Sequence, residues 1–455
     1  MTTLWAARAL TESGWIHSLR VTIDAAGRIA AVRQVAPAAT DHRVGILLPA
    51  PANAHSHAFQ RAMAGLTERR GPDPRDTFWT WRALMFRFLD RLSPEQVEAI
   101  AAFVQMEMLE AGYATNVEFH YLHHQAGGQP YADPAEMAAR IAAATSRTGI
   151  GLTLLPVHYR FGGCDRRPLG PGQVRFGTDP EAFARLHAGS AAALAVLPPD
   201  TVLGVAPHSL RAVALDTLPE LAALAPEGPI HMHLAEQVAE VAEVEAAFGR
   251  RPVEWVLDAL APDDRFTCIH CTQMEPHETE ALARSGATAG LCPITESNLG
   301  DGIFDGVRWL SAGGRIAIGS DSNIRIALSE ELRTLEYSQR LRDRSRAALA
   351  TPEKSTGRRL YDAILAGGAA AAGRQTGAIR PGLLADLVAL DAGHTDLDGR
   401  EGDTILDSFV FAGDDRMVRD VWSAGRHMVR DGRHVARDDI AAAYRAVLRD
   451  LRDAL

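Results

Sequence analysis

Lysine is almost missing from this chain. Lys354 is the only one among 47 basic residues, so arginine carries nearly all the positive charge. Cysteine is scarce too. Four cysteines in 455 residues do not make a disulfide scaffold, and that usage fits a reducing, cytoplasmic setting. No apolar run reaches the roughly 18 residues that a membrane-spanning helix needs, so no membrane partner is expected. The N-terminal "MTTLWAARALTESGW" lacks the basic start and apolar core of a secretion signal. There is no basic block and the net charge is −10, which argues against a nucleic-acid partner. Internal repeats and low-complexity linkers are also absent.

What remains is the composition of a soluble globular protein, 47% hydrophobic and 23% charged. The length predicts two to three domains, or one large barrel with an accessory domain. From residue 47 onward, short β-rich runs alternate with helical stretches. The runs are "ILLPAPANAH" into His55, "TNVEFHYLH" around Tyr121, "GIGLTLLPVHY" around Val157 and "TVLGVAPHS" into His208. They continue with "GPIHMHLAE" into His233, "FTCIHCTQ" into His270, "GATAGLCP" into Cys292 and "RIAIGSDSN" into Asp321. Eight strands separated by helices predict an α/β fold, a (β/α)8 TIM barrel over residues 48–375. "LSPEQVEAIAAFVQMEMLEAG" reads as a helix with Ser93 as N-cap, Pro94 at its first position, Gln96 in a capping box and Gly112 at its end. The insertion before it, "GPDPRDTFWTWRALMFRFLD", is expected to lie over the catalytic face.

Both chain ends look different. "SLRVTIDAAGRIAAV" reads as a hairpin turning at Ala26-Gly27, and "GAIRPGLLADLVALD" and "VRDVWSAGRHMVRDGRHV" read as further strands. A small β-sandwich domain from residues 1–47 and 376–455 is expected, closed by the amphipathic helix "DDIAAAYRAVLRDLRDAL". The alanine-rich "AGGAAAAG" reads as tight helix packing.

The chemistry collects at the strand ends. His55 and His57 are separated by one residue, and side chains at i and i+2 of a strand share a face. A lone HxH is short enough to be two surface histidines. His233, His270 and Asp321, however, end the fifth, sixth and eighth strands, and strand ends of a barrel converge on one site. Three imidazoles and a carboxylate suit zinc or another first-row divalent ion. Cys268 and Cys271 make a CxxC spacing, but on a strand rather than at a helix start, so they read as packing residues.

"HSH", "HLAE", "IHC", "CPITESNLG" and "SDSN", in this order, resemble the amidohydrolase superfamily, and "IRPGLLADLVALD" resembles its C-terminal β-segment. The resemblance spans nearly the whole chain. It implies metal ligation by His55, His57, His233 and Asp321, with Glu236, His270 and Asp321 catalytic. Binuclear members bridge two metals with a carboxylated lysine. The fourth strand has none and Lys354 is poorly placed, so one divalent ion, Zn2+ by expectation, is implied. That is the pattern of the deaminase branch, in which Asp321 accepts a proton from water, Glu236 shuttles protons to a C=N nitrogen and His270 hydrogen-bonds the attacking oxygen. Within it, "HSHAFQRAMAG", "FWTWRALM", "EFHYLHH" and "APHSLRAV" resemble the formiminoglutamate deiminase family. Carried over, Gln60, Arg82, Tyr121, His208 and Arg211 line the pocket of a small dicarboxylate substrate, N-formimino-L-glutamate, in a homodimeric enzyme of histidine degradation. Arginine forks suit carboxylates. A purine, pterin or adenosyl deaminase, or a barrel that has lost catalysis, would reuse the same metal residues.

Overall fold

The structure is a computed structural model that describes residues 1–69 and 78–452. The first strands, β1 (Thr2–Thr11), β2 (Gly14–Ile23) and β3 (Ile29–Gln34), form consecutive antiparallel hairpins. The β2–β3 turn contains Gly27 at φ +75°, and a Cβ there would lie 2.1 Å from the carbonyl oxygen of Ala424. Only glycine tolerates both the left-handed backbone and that approach. β4 (His42–Pro49) then runs parallel to β1.

The next strands alternate with helices. They are β5 (Ala52–Ser56), β6 (Thr115–His120), β7 (Gly151–His158), β8 (Val202–Leu203) and β9 (Ala206–Pro207), followed by β10 (Ile230–Leu234), β11 (Phe266–His270), β12 (Thr288–Leu291) and β13 (Arg315–Ile318). Their pairings are all parallel and form two arcs, β5 to β8 with β9 on β7, and β10 to β13. Single bridging pairs, Ser56 with Asp321 and Val205 with Ile230, connect the arcs at both edges. The ladder is therefore interrupted where a continuous closed sheet was expected. The fourth strand breaks at Gly204, leaving β8 and β9 as two-residue pieces. Every residue of β7 is buried, which explains why "GLTLLPVH" is a continuous apolar run rather than an alternating one: both faces are covered.

The last strands, β14 (Leu387–Leu390), β15 (Val418–Ser423), β16 (Arg426–Arg430) and β17 (Arg433–His434), join the N-terminal strands. The result is one eight-stranded sheet ordered β17-β16-β15-β14-β4-β1-β2-β3. A two-sheet sandwich was expected, but β4 pairs with β1 on one side and β14 on the other, so the ladder has no break. A buried ion cluster ties this sheet to the parallel arcs. Arg374 meets Asp200 at 3.1 Å and Asp386 at 3.3 Å, and Arg426 meets Asp200 at 2.8 Å.

Helices start as the sequence indicates. Ser93 accepts from the backbone of Gln96, whose side chain returns the bond, opening Pro94–Glu110. The insertion is described only from its helix Phe78–Leu89 onward; residues 71–77 lie outside the described residues. The C-terminal helix Arg437–Arg452 stacks Tyr444 on Phe103 at 3.9 Å. Among the described residues no helix is long and apolar enough to cross a membrane.

"AGGAAAAG" lies in the helix Thr356–Ala372, packed behind β13. A Cβ at Gly367 would lie 2.0 Å from the carbonyl oxygen of Ile316, a backbone atom that cannot swing aside. Gly367→Ala is therefore expected to lower stability by about 1–3 kcal/mol, as overpacking does. Chemical denaturation measures it, and an unchanged midpoint would show that the helix shifts freely.

Candidate active site

The carboxyl ends of the parallel strands deliver the site. β5 ends at Ser56, so His55 lies within it and His57 just beyond. The backbone then locks the first strand to the last. Asp321 N–H donates to His55 O and His57 N–H donates to Asp321 O, each at 2.9 Å. The "SDSN" motif supplies the clamp. Asn53 donates to Ser320 Oγ at 2.7 Å, Ser320 Oγ donates to Asn323 Oδ1 at 2.6 Å, and Asn323 Nδ2 donates to His57 O at 3.2 Å. His270 and Asp321 are non-glycine residues in the left-handed region, at φ 71° and 46°. Such conformations cost about 1–3 kcal/mol each and persist where surrounding contacts enforce them.

Three histidines and a carboxylate meet in this space. His55 Nε2 lies 3.2 Å from His57 Nε2, and Asp321 Oδ1 lies 3.4 Å and 3.3 Å from the two. The ligand atoms of His55, His57 and His233 all lie within 4.8 Å of one another, as do those of His55, His270 and Asp321. Backbone carbonyls fix two tautomers. His57 Nδ1–H donates to Phe119 O at 2.9 Å and His233 Nδ1–H to His208 O at 3.1 Å, so each Nε2 keeps a lone pair. Burial lowers the pKa of all three imidazoles, that of His55 to about 3, so they are neutral. Burial opposes charge on Asp321, but His55, His270 and His57 outweigh it and hold the carboxyl below its ordinary value. Neutral imidazoles facing an anionic carboxylate are the donor set of a first-row divalent cation, and the residues present fit one.

The residues expected to carry protons stand beside this cluster. His270 Nε2 lies 3.9 Å from both Glu236 Oε1 and Asp321 Oδ2. Burial works against a charged His270, yet Glu236, Glu296 and Asp321 raise its pKa well above the ordinary histidine value. Glu236 is pushed up to about 7, chiefly by burial. Glu236 N–H donates to Glu240 Oε2 at 3.0 Å and its carbonyl accepts from Thr272 Oγ1 at 2.7 Å, which fixes the loop after β10. A carboxyl that titrates near neutrality can both give and take a proton.

Above these groups opens a pocket. It is lined by all five residues expected around a substrate: Gln60, Arg82, Tyr121, His208 and Arg211. Gln60 donates to Tyr121 OH at 2.8 Å. Burial disfavours charge on Arg211, but Glu240, Tyr159, Glu236 and Glu243 overcome it and raise its pKa. Burial, with Arg211 and Arg82 next, drives His208 well below the ordinary histidine value. Lys354 sits elsewhere, just before the helix Thr356–Ala372, and pairs with Asp362 at 2.8 Å near the surface. Cys268 and Cys271 are buried free thiols packed in the core.

Sequence reasoning missed Tyr159, Glu296, Trp81 and Phe176. Tyr159 follows β7 directly, so the strand-end rule that selected His55 would have found it. Its hydroxyl oxygen accepts from Arg82 at 2.9 Å and from Gln173 at 2.8 Å, which leaves the phenolic proton for a ligand. Glu296 sits in "CPITESNLG" and faces His270 Nδ1 at 3.3 Å, orienting the ring. Trp81 and Phe176 are pocket walls that no pattern marks. Tyr159→Phe should lower kcat/KM by about 2- to 13-fold, the scale of one hydrogen bond. Steady-state kinetics measures it; wild-type values would show that the hydroxyl serves packing only.

A family model described as the amidohydrolase family matches residues 46–428. The chain belongs to that family. A second family model, the N-terminal domain of formimidoylglutamate deiminase HutF, matches residues 1–45 of this amidohydrolase. The formimidoylglutamate deiminase of Pseudomonas aeruginosa is 48% identical to it over 456 aligned positions, covering 100% of both chains. A solved amidohydrolase from Brucella melitensis superposes with a TM-score of 0.95 at 46% identity, covering 99% of this chain and 100% of the other. An adenosine deaminase from Xanthomonas campestris, solved with bound zinc, shares the fold at a TM-score of 0.82 and 21% identity, covering 99% and 98%.

Proposed function

We propose that this amidohydrolase is a formimidoylglutamate deiminase. It converts N-formimino-L-glutamate and water into N-formyl-L-glutamate and ammonia, a step of histidine degradation. The observation that carries the reading is the buried guanidinium of Arg211, 7% exposed, sharing one pocket with Arg82 and the Glu236–His270–Asp321 group. A buried cation opposite a reaction centre suits a substrate that ends in carboxylates. The full-length identity to the Pseudomonas aeruginosa enzyme and the match of the N-terminal family model support it.

In this reading the two parallel arcs are halves of one (β/α)8 barrel, residues 48–375. The β domain from residues 1–47 and 376–455 flanks it. His55, His57, His233 and Asp321 hold one divalent ion, which we take as zinc. Such an ion lowers the pKa of the water it holds from 15.7 toward about 7. Arg211, Arg82 and Tyr159 anchor the carboxylates, and Gln60, Tyr121 and His208 wall the formimino end. Asp321 accepts a proton from the attacking water. His270, held by Glu296, hydrogen-bonds the oxygen as it bonds to the formimino carbon. Glu236 delivers its proton to the terminal nitrogen, is recharged from Asp321 and protonates the nitrogen again as the C–N bond breaks and ammonia leaves. Asp321 takes the remaining hydroxyl proton as the formyl C=O forms and returns it to Glu236. Homodimeric assembly and a cytoplasmic location belong to the same reading.

The test is ammonia release from formimino amino acids and from adenine nucleosides. The highest kcat/KM should fall on formiminoglutamate; preference for a nucleoside would overturn the assignment. Dialysed protein should retain about one tightly held divalent ion per chain, because the site offers a single set of ligands and no bridging lysine. Elemental analysis measures it, and two dialysis-resistant ions would contradict a mononuclear centre.

A further inference from the structure

The eight-stranded sheet carries a second cluster of ligating side chains that the reaction does not use. His42 opens β4, Asp420 lies in β15, and His427 lies in β16 opposite Trp422 across the β15–β16 hairpin. Their ligand atoms all lie within 4.8 Å of one another. One carboxylate oxygen is shared: Asp420 Oδ1 is 2.8 Å from His427 Nε2 and 4.0 Å from His42 Nε2. The other oxygen faces Arg419 Nε at 3.7 Å. The two imidazoles cross at 76° with centroids 5.0 Å apart, close to the 82° and 4.6 Å of His55 and His57. Trp422 fixes both rings, stacking on His427 at 4.4 Å and meeting His42 edge-on at 5.5 Å. Asp420 is buried, while the His42 side chain is 43% exposed, so the cluster is open to solvent on one side.

We propose that His42, Asp420 and His427 form a second metal site, which takes a late first-row divalent cation such as Zn2+, Ni2+ or Cu2+. Two imidazole nitrogens and one carboxylate oxygen favour these ions over Mg2+ or Ca2+, which prefer all-oxygen shells. Water completes the shell through the open side at His42. A bound cation would need only a small inward movement of the exposed His42 ring. Arg419 and Arg430 lie close enough to repel positive charge, so this site binds more weakly than the buried one and exchanges its ion. Its effect is mechanical. The ion joins the start of β4 to the β15–β16 hairpin, two segments nearly 380 residues apart in sequence, and a ligand that binds only the folded chain stabilises it.

Untagged full-length protein holding its tight ion is titrated with Zn2+ by calorimetry and with Cu2+ by indole fluorescence. A second equivalent should bind, Tm should rise with added Zn2+, and Cu2+ should quench the emission of Trp422, which stacks on a ligand. In His42→Gln and in His427→Gln the second equivalent, the Tm rise and that quenching should vanish, while the tight ion and turnover stay at wild-type levels. His42→Gln decides the matter, because its exposed ring contributes little to the fold. The proposal is overturned if wild type takes up no second equivalent, or if the second equivalent survives in His42→Gln. Survival would mean that His427 and Asp420 are an ordinary ion pair with His42 a bystander.

Discussion

Glu236→Gln leaves metal content unchanged and lowers turnover by about 10²- to 10⁴-fold, the scale on which a positioned acid–base group acts. The substitution keeps the shape of the side chain and one hydrogen-bonding oxygen. The backbone anchors of this loop, from Glu236 N–H to Glu240 and from Thr272 to Glu236 O, do not involve the side chain and stay in place. What is lost is a proton that moves near neutral pH, since the carboxyl titrates at about 7. The loss should fall on kcat, with KM within a few-fold of wild type, because in the proposed reaction Glu236 acts on the formimino nitrogen and does not anchor the carboxylates. Elemental analysis beside steady-state kinetics separates the two effects. Turnover within a few-fold of wild type, with metal retained, would assign the proton transfer to another group.

Arg211→Met should lower kcat/KM for formiminoglutamate by about 10- to 150-fold, from the 1.5–3 kcal/mol of a hydrogen bond to a charged group. Part of the loss should fall on kcat, because anchoring the carboxylates also places the formimino carbon against the Glu236–His270 pair. The surroundings of Arg211 add a stability cost. Glu240, which is buried, helps keep this guanidinium charged, so removing Arg211 takes a positive charge away from a buried carboxylate. Arg211→Lys separates the two: it keeps the charge and the fold but loses the fork, and should show an intermediate drop. The deciding comparison sets formiminoglutamate against an analogue without carboxylates. Wild type should prefer the dianion strongly and Arg211→Met should lose most of that preference. Equal discrimination by both would remove Arg211 from carboxylate recognition.

The residues proposed to hold the metal were the most legible part of the site, because their signal is local. His55 and His57 share a strand face by parity, and His233, His270 and Asp321 each stand where an apolar run stops. His208 and Tyr121 also stand just past strands, but Gln60, Arg82 and Arg211 carry no such signal. A substrate-binding role for all five was legible only through resemblance to a family, since one arginine among 46 looks like any other in a sequence. Tyr159 could have been found by position. Glu296, Trp81 and Phe176 could not, because their roles come from contacts with residues far along the chain. The sandwich expected of the chain ends gave way to one continuous sheet for a similar reason: β4 has two partners, and pairing between strands hundreds of residues apart leaves no trace in local periodicity.

The alternation of strands and helices, the helix cap at Ser93, the glycine turn at Gly27 and the pairing of two histidines on one strand face are all written in short stretches of the chain. These follow from short-range geometry, from steric limits on φ and from the pitch of a strand. The closing of Asp321 on His55 beside the Ser320–Asn323 clamp, the burial that pushes Glu236 up to about 7, and the place of Arg211 in the same pocket all arise from packing between distant segments. Burial and distance set a side chain's charge and reach, and both are properties of the packed chain rather than of any segment of it.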